Sequence, residues 1–232
     1  MKLIQCLASL TAIVSILLIH ADSRAAPPTD VVIDLFQTPQ TASNAIGDRN
    51  TADGPDIIGG ERDLLTFVLM SVSGVVPGQL YIESAGGGGG DIYYDGNDND
   101  PSFSSPGGMG SIDLTQGGRN DRLRFEFTSA SNIPATLLID VKNFGIGSTL
   151  QVNLPQSAGI FDIPFSSFSN PAVFSTVGMI NLHFEIHGTG TYTIDDILAV
   201  PEPCVPALLL PAMLALGLVR ARSRFGCHTN RR

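Results

Sequence analysis

Tryptophan is absent from the 232 residues, and tyrosine occurs only at Tyr81, Tyr93, Tyr94 and Tyr192. Sugar sites draw on flat aromatic platforms, so a carbohydrate-binding face would have to be assembled from these few rings, which weighs against a strong carbohydrate module. Cysteine is as scarce: Cys6, Cys204 and Cys227 sit near the two ends, and residues 26–199 contain none. That interval therefore has no disulfide framework, no thiol nucleophile and no cysteine zinc site, and its stability must come from core burial. Positive charge is also in short supply. Residues 26–199 hold six basic side chains against twenty acids, a net charge of about −14 that the whole-chain value of −9 conceals. Such a surface repels nucleic acid and other polyanions and leaves divalent cations and neutral sugars as partners. Signs of nucleophilic catalysis are missing too. No Gly-x-Ser-x-Gly occurs, His183 and His187 are the only histidines of the interval, and no spacing singles out a pair among the acids. The expectation is a protein that is not an enzyme.

Apolar runs stand at both ends. Met1-Lys2 is followed by an apolar stretch over residues 3–19 and by the small residues Ser23-Arg24-Ala25-Ala26, with Pro27-Pro28 behind. Charge, apolar core and small-residue site in that order predict a secretory signal peptide over 1–25, cleaved after Ala25. Near the other end, Val200-Pro201-Glu202-Pro203 precedes an uncharged run at 204–219, and Arg220, Arg222 and Arg224 follow at once. Sixteen residues rise about 24 Å as a helix, slightly less than a bilayer core of about 30 Å, and basic flanks stay in the cytoplasm. The chain thus reads as a signal peptide (1–25), an exported domain (26–199) and a C-terminal signal (200–232) containing a transmembrane helix.

The Val200-Pro201-Glu202-Pro203 motif, short span and arginine cluster resemble the PEP-CTERM sorting signal of Gram-negative bacteria. The resemblance implies recognition and cleavage near Pro-Glu-Pro by a membrane protease of the exosortase class, with Arg220, Arg222 and Arg224 as the cytoplasmic anchor. It also implies export through the secretion machinery, transient residence in the inner membrane, and delivery to the cell surface or extracellular matrix. Exopolysaccharide is the partner that the family association suggests.

Helical periodicity is nearly absent between the signals. Short β-rich runs near 31–36, 64–71, 79–83, 91–94, 111–114, 122–128, 135–142, 149–154, 179–186 and 192–198 are separated by Gly, Asn, Asp, Ser and Pro clusters. Arg122-Leu123-Arg124-Phe125-Glu126-Phe127 and Asn181-Leu182-His183-Phe184-Glu185-Ile186 alternate cleanly, giving each strand one apolar and one wet face. The expected fold is all-β, a jelly-roll-like antiparallel β-sandwich flanked by a signal helix and a transmembrane helix. The glycine run 86–90 lacks the lysine and helix of a phosphate loop and is expected to be a flexible loop or wide bulge. Gly59-Gly60-Glu61-Arg62-Asp63-Leu64, Tyr94-Asp95-Gly96, the 111–121 stretch, Pro164-Phe165-Ser166-Ser167-Phe168 and Ile194-Asp195-Asp196-Ile197, taken in order, resemble a recurring group of PEP-CTERM proteins. Members of that group have no established activity.

Three clusters are candidate sites. Asp95, Asp98 and Asp100 fall in an Asn- and Asp-rich turn whose hard oxygens suit calcium, although the EF-hand spacing fails and local hydrogen bonding is the alternative. Asp195 and Asp196 are adjacent in the last strand, so alternation sends one of them inward, where it needs a partner. A structural calcium shared with Asp34 of the first strand would serve, as would pairing with Arg62 or Arg119. His183, Glu185 and His187 share one strand face, which reads as the wet side of the sheet rather than as a metal site. No cofactor is required; calcium is the one these groups suit. The favoured role is a structural or adhesive surface or matrix protein. The alternatives are a non-catalytic carbohydrate-binding module, with Tyr93 and Tyr94 on its sugar face, and a secreted hydrolase.

Overall fold

Alternation of apolar and polar residues decides which face each strand buries, and the computed structural model shows the result for residues 29–42, 49–67, 71–100 and 107–202. The leader, Pro203, the 204–219 run and Arg220, Arg222 and Arg224 lie outside the described residues. Among the described residues no helix is long and apolar enough to cross a membrane.

Thirteen strands follow one another: β1 (Val31–Asp34), β2 (Gln40–Ala42), β3 (Arg49–Asp53), β4 (Glu61–Thr66), β5 (Ser71–Val76), β6 (Gln79–Ala85), β7 (Gly88–Tyr94), β8 (Asn120–Ser129), β9 (Ala135–Asn143), β10 (Ile146–Asn153), β11 (Gly159–Pro164), β12 (Met179–Ile186) and β13 (Thr189–Pro201). They form two sheets. One runs β11-β8-β13-β6-β5-β2, with β1 also on β13; the other runs β10-β9-β12-β7-β4-β3. Every pairing is antiparallel. The protein is an all-β sandwich of two antiparallel sheets.

Leu123, Phe125 and Phe127 of β8 face Leu137, Ile139 and Val141 of β9 and Leu182 and Phe184 of β12 within one apolar core. Phe127 meets Tyr192 edge to face at 6.1 Å, and Phe165 stacks on Phe174 at 3.9 Å near one end. Burial on this scale, at about 25 cal/mol per Å² of apolar surface, holds the sheets together in the absence of cross-links.

Several elements differ from the pattern expected of the sequence. The 64–71 run is not one strand: β4 belongs to the six-stranded sheet and β5 to the other, so the chain crosses the sandwich after Phe67. The 111–114 run makes only an isolated bridge between Ile112 and Val177. Asp113 explains this, since its carboxylate accepts from the N–H groups of Thr115 and Gly117 at 2.9 Å and closes a local turn in place of a ladder. The glycine run is neither loop nor bulge over its second half, because Gly88, Gly89 and Gly90 are residues of β7. A Cβ on Gly89 would sit 1.8 Å from the Phe184 carbonyl oxygen, and one on Gly90 would sit 2.5 Å from Ser73 Oγ of the opposite sheet. Glycine is there because neighbours approach too closely for any side chain.

A register irregularity between Ile194 and Asp196 in β13 lets Ile194 and Ile197, three positions apart, both enter the core. Strict alternation does not hold there, and Asp195 and Asp196 are each half-buried. The same strand continues past residue 199: Val200 pairs with Arg122 and Pro201 with Asn120, so the sheet absorbs the first half of Val200-Pro201-Glu202-Pro203.

Candidate functional site

β4 carries Arg62, Leu64 and Thr66 on the core side, and by alternation Glu61, Asp63 and Leu65 on the other. Register extends that outer side across the whole six-stranded sheet. One row runs Thr51, Asp63, Tyr93, Asn181, Asp140, Thr149; the next runs Arg49, Leu65, Asp91, His183, Leu138, Gln151. The result is a polar band over β3, β4, β7, β12, β9 and β10.

At its centre His183 Nδ1 lies 2.7 Å from Asp91 Oδ1. That hydrogen bond raises the imidazole above its ordinary pKa, burial opposes it, and Glu185 adds to it. The Phe67 ring stacks on the same imidazole at 4.8 Å and 6°. Tyr93 places its hydroxyl against Asn181 and Asp91, and burial pushes its pKa well up, so it remains a neutral hydrogen-bonding phenol. Only Tyr93 of the expected tyrosine pair is on this face. Tyr94, the next residue along a strand, points to the core and donates to Asp34 Oδ2 at 3.0 Å. A pocket of about 310 Å³ lined by Pro134, Ala135, Thr136, Asn153, Leu154, Gln156 and His187 lies where the band reaches the Thr136–Asn153 pair. A carboxylate, an imidazole, an amide and a phenol beside a flat ring match the needs of a polyhydroxylated ligand, whose hydroxyls take hydrogen bonds while its apolar faces cover rings.

The expected metal residues are distributed differently. Asp34 commits both oxygens to the interior, accepting from Phe36 N at 2.7 Å on one, and from Arg62 Nη1 at 2.6 Å and Tyr94 on the other. Asp195 and Asp196 each keep a buried Oδ1 without a hydrogen-bond partner. Burial first, then Glu126 and Asp195, raises the Asp196 carboxyl. Of the turn acids, Asp98 accepts from Asp100 N at 2.9 Å, a local bond, whereas the charges of Asp95 and Asp98 act on Asp63. Burial, reinforced by Asp95, Glu61 and Asp98 and opposed by Thr51, pushes Asp63 up to about 7. Glu61 is raised by burial, then by Asp98 and Asp53, against the N–H of Asn99. Sequence reasoning missed Glu61, Asp63, Asp91 and Phe67 as site residues; the available signal was alternation in Glu61-Arg62-Asp63, which puts two acids on one face. Among the described residues no three His, Cys, Asp or Glu side chains are already grouped around a metal position.

No protein-family model and no curated protein matches the chain. Among solved structures it is similar to a family 11 carbohydrate-binding module from Clostridium thermocellum in complex with a beta-1,3-1,4-mixed-linked tetrasaccharide (14% identity, TM-score 0.37, covering 76% of this chain and 98% of that one). It is also similar to a family 29 carbohydrate-binding module (14%, TM-score 0.36, 75% and 89%) and to PfGH50B (9%, TM-score 0.41), of which it spans 22%. Likenesses this distant bear on nothing finer than the two-sheet architecture, which strand pairing shows independently.

Proposed function

We propose that this protein is a non-catalytic carbohydrate-binding sandwich of jelly-roll type, exported and held outside the inner membrane, whose sugar face is the polar band of the six-stranded sheet. The observation that carries the reading is the half-buried His183–Phe67 stack on the outer face of the six-stranded sheet, with Asp91 buried against His183 and the buried Tyr93 beside Asp91. The acidic surface favours a neutral polysaccharide over an anionic one. In this reading the His183–Asp91 pair serves to bind a ligand and performs no hydrolysis. Export as an exosortase substrate rests on the sequence alone, on the leader, Val200-Pro201-Glu202-Pro203, the apolar run and the arginines. It places the sugar face where matrix polysaccharide is found.

Affinity electrophoresis in gels containing neutral soluble polysaccharides, such as mixed-linkage glucan and mannan, tests the sugar face. Retardation of the native protein, lost in Phe67→Ala and His183→Ala, is the expected result. Mobility unchanged in every neutral polysaccharide would refute the assignment. The second reading, a structural or adhesive matrix protein without a sugar ligand, draws on Phe144 and Ile146, large apolar side chains exposed at the β9–β10 turn.

A further inference from the structure

Two stretches distant in the sequence, Gly59-Gly60-Glu61-Arg62-Asp63 and Tyr94-Asp95-Gly96-Asn97-Asp98, meet at one end of the six-stranded sheet. Asp63 pairs with Tyr93, and the turn that follows β7 folds back so that Asn99 N donates to Glu61 Oε2 at 2.9 Å. From the other side β3 sets Asp53 opposite Glu61 and Thr51 opposite Asp63. Glu61 feels the charges of Asp98 and Asp53, and Asp63 those of Asp95, Glu61 and Asp98, so the acids form one cluster.

Acids alone do not make a site, but two of these are buried and half-satisfied. Glu61 is 1% exposed and Asp63 is 2% exposed. Each is held by one oxygen: Glu61 Oε2 by the Asn99 N–H, and Asp63 Oδ1 by the Thr51 hydroxyl at 2.8 Å. The other oxygens, Glu61 Oε1 and Asp63 Oδ2, have no hydrogen-bond partner. A buried carboxylate oxygen without a partner is costly, and two of them on one sheet face call for a positive charge. The arginine between them in sequence cannot provide it, because Arg62 points into the core and is bonded to Asp34, Gln40 and Thr38.

We infer that Glu61, Asp63, Asp53 and Asp98 form a divalent-cation site, with Glu61 Oε1 and Asp63 Oδ2 as the buried ligands and Asp98 closing over the ion from the turn. All-oxygen, multiply charged donors select calcium over zinc. The Glu61 and Asp53 carboxyls already meet across the β3–β4 pair, and a bound cation fastens the 95–100 turn to the start of β4. The inference is independent of the sugar reading. Glu61 and Asp63 stand on β4, which β7 separates from the His183 strand.

The test uses the full chain. Terbium bound here accepts excitation from the neighbouring tyrosines, and calcium displaces it. Calcium at about 100 times its dissociation constant should raise the melting temperature by about 5–10 °C, reversed by chelator. Glu61→Gln and Asp63→Asn should abolish both the tyrosine-sensitised luminescence and the melting shift. Asp98→Asn, at an exposed position that does not endanger folding, should weaken calcium at least tenfold, while Glu83→Gln, exposed on β6 of the other sheet, leaves both signals intact. A melting curve indifferent to calcium, or a shift that survives in Asp98→Asn and Glu61→Gln, overturns the inference. Polysaccharide retardation measured in chelator separates the two readings, since loss of the ion response leaves the His183 face to be judged by itself.

Discussion

Arg62 Nη1 lies 2.6 Å from Asp34 Oδ2, and both side chains are fully buried. Two further donors of Arg62 reach Gln40 Oε1 at 2.8 Å and the Thr38 carbonyl at 2.7 Å, and its guanidinium stands 5.5 Å over the Phe36 ring. Burial pushes the Asp34 carboxyl above its usual range, and the charge and hydrogen bond of Arg62, with the Phe36 N–H and the Tyr94 hydroxyl, oppose that shift. The pair joins β1 to β4 and therefore one sheet to the other.

Arg62→Met should lower unfolding free energy by about 3–5 kcal/mol, because it strands a carboxylate in the core. Adding Asp34→Leu to it should restore a large part of the loss, since well-packed apolar groups replace a buried pair at little cost. Urea titration of the two variants decides the matter. A loss below about 1 kcal/mol in the single variant is what a solvent-screened surface pair would give, and would contradict this burial.

Gly89→Ala should destabilise the protein by about 1–3 kcal/mol, because its new methyl would meet the Phe184 carbonyl of the neighbouring strand. Gly86→Ala, where a Cβ has nothing within 4 Å, should be close to neutral. Equal melting temperatures for the two variants would show that the glycine run is uniformly a loop, as composition alone suggests.

That contrast marks what is legible in such a chain. The central strands β8, β9 and β12 can be read directly from alternation, since one face of each is in the core and the other in water. β2, β3 and β11 cannot, because short edge strands bury little and need no apolar period. The His183–Asp91 contact escapes sequence reading for a different reason: the residues are 92 positions apart, and only the β7–β12 register brings them together. The sequence marks Asp195 or Asp196 as the inward acid in need of a partner, with Arg62 among the candidates; the structure gives Arg62 to Asp34 instead, and β13 changes phase after Ile194, an irregularity without a local signature.

Replacing Glu202 tests the sorting reading without reference to the fold. Glu202→Ala should leave the sandwich intact, since the last residue of the sheet is Pro201, and should cause the unprocessed precursor to accumulate in the inner membrane. Precursor and mature forms are separated by immunoblotting of fractionated cells. Normal maturation of the variant would dismiss the exosortase reading while leaving the sugar face untouched.

The last prediction concerns pH and follows from His183. Its partners are Asp91 across the strand pair, Glu185 on its own strand and the Phe67 ring above it, and the hydrogen bond to Asp91 raises its pKa above 6.5 in the folded state. A raised folded pKa means that the folded protein holds the proton more tightly than the unfolded chain. The resulting stabilisation is complete below about pH 6.5 and disappears as pH rises through the folded value. Water reaches part of the ring, so the effect should stay below about 1 kcal/mol. In the cation-free protein Asp63, pushed up to about 7 chiefly by burial, acts in the same direction, its contribution falling as pH rises toward that value. The two contributions are separated by comparing urea unfolding of the native protein and His183→Gln from about pH 5.5 to about 8.5. The variant should lose stability less steeply above about pH 6.5, and its difference curve should flatten once the imidazole is neutral in both states. Parallel curves for the two proteins would mean that His183 and Asp91 do not share a proton, and the hydrogen bond at the centre of the band would have to be abandoned.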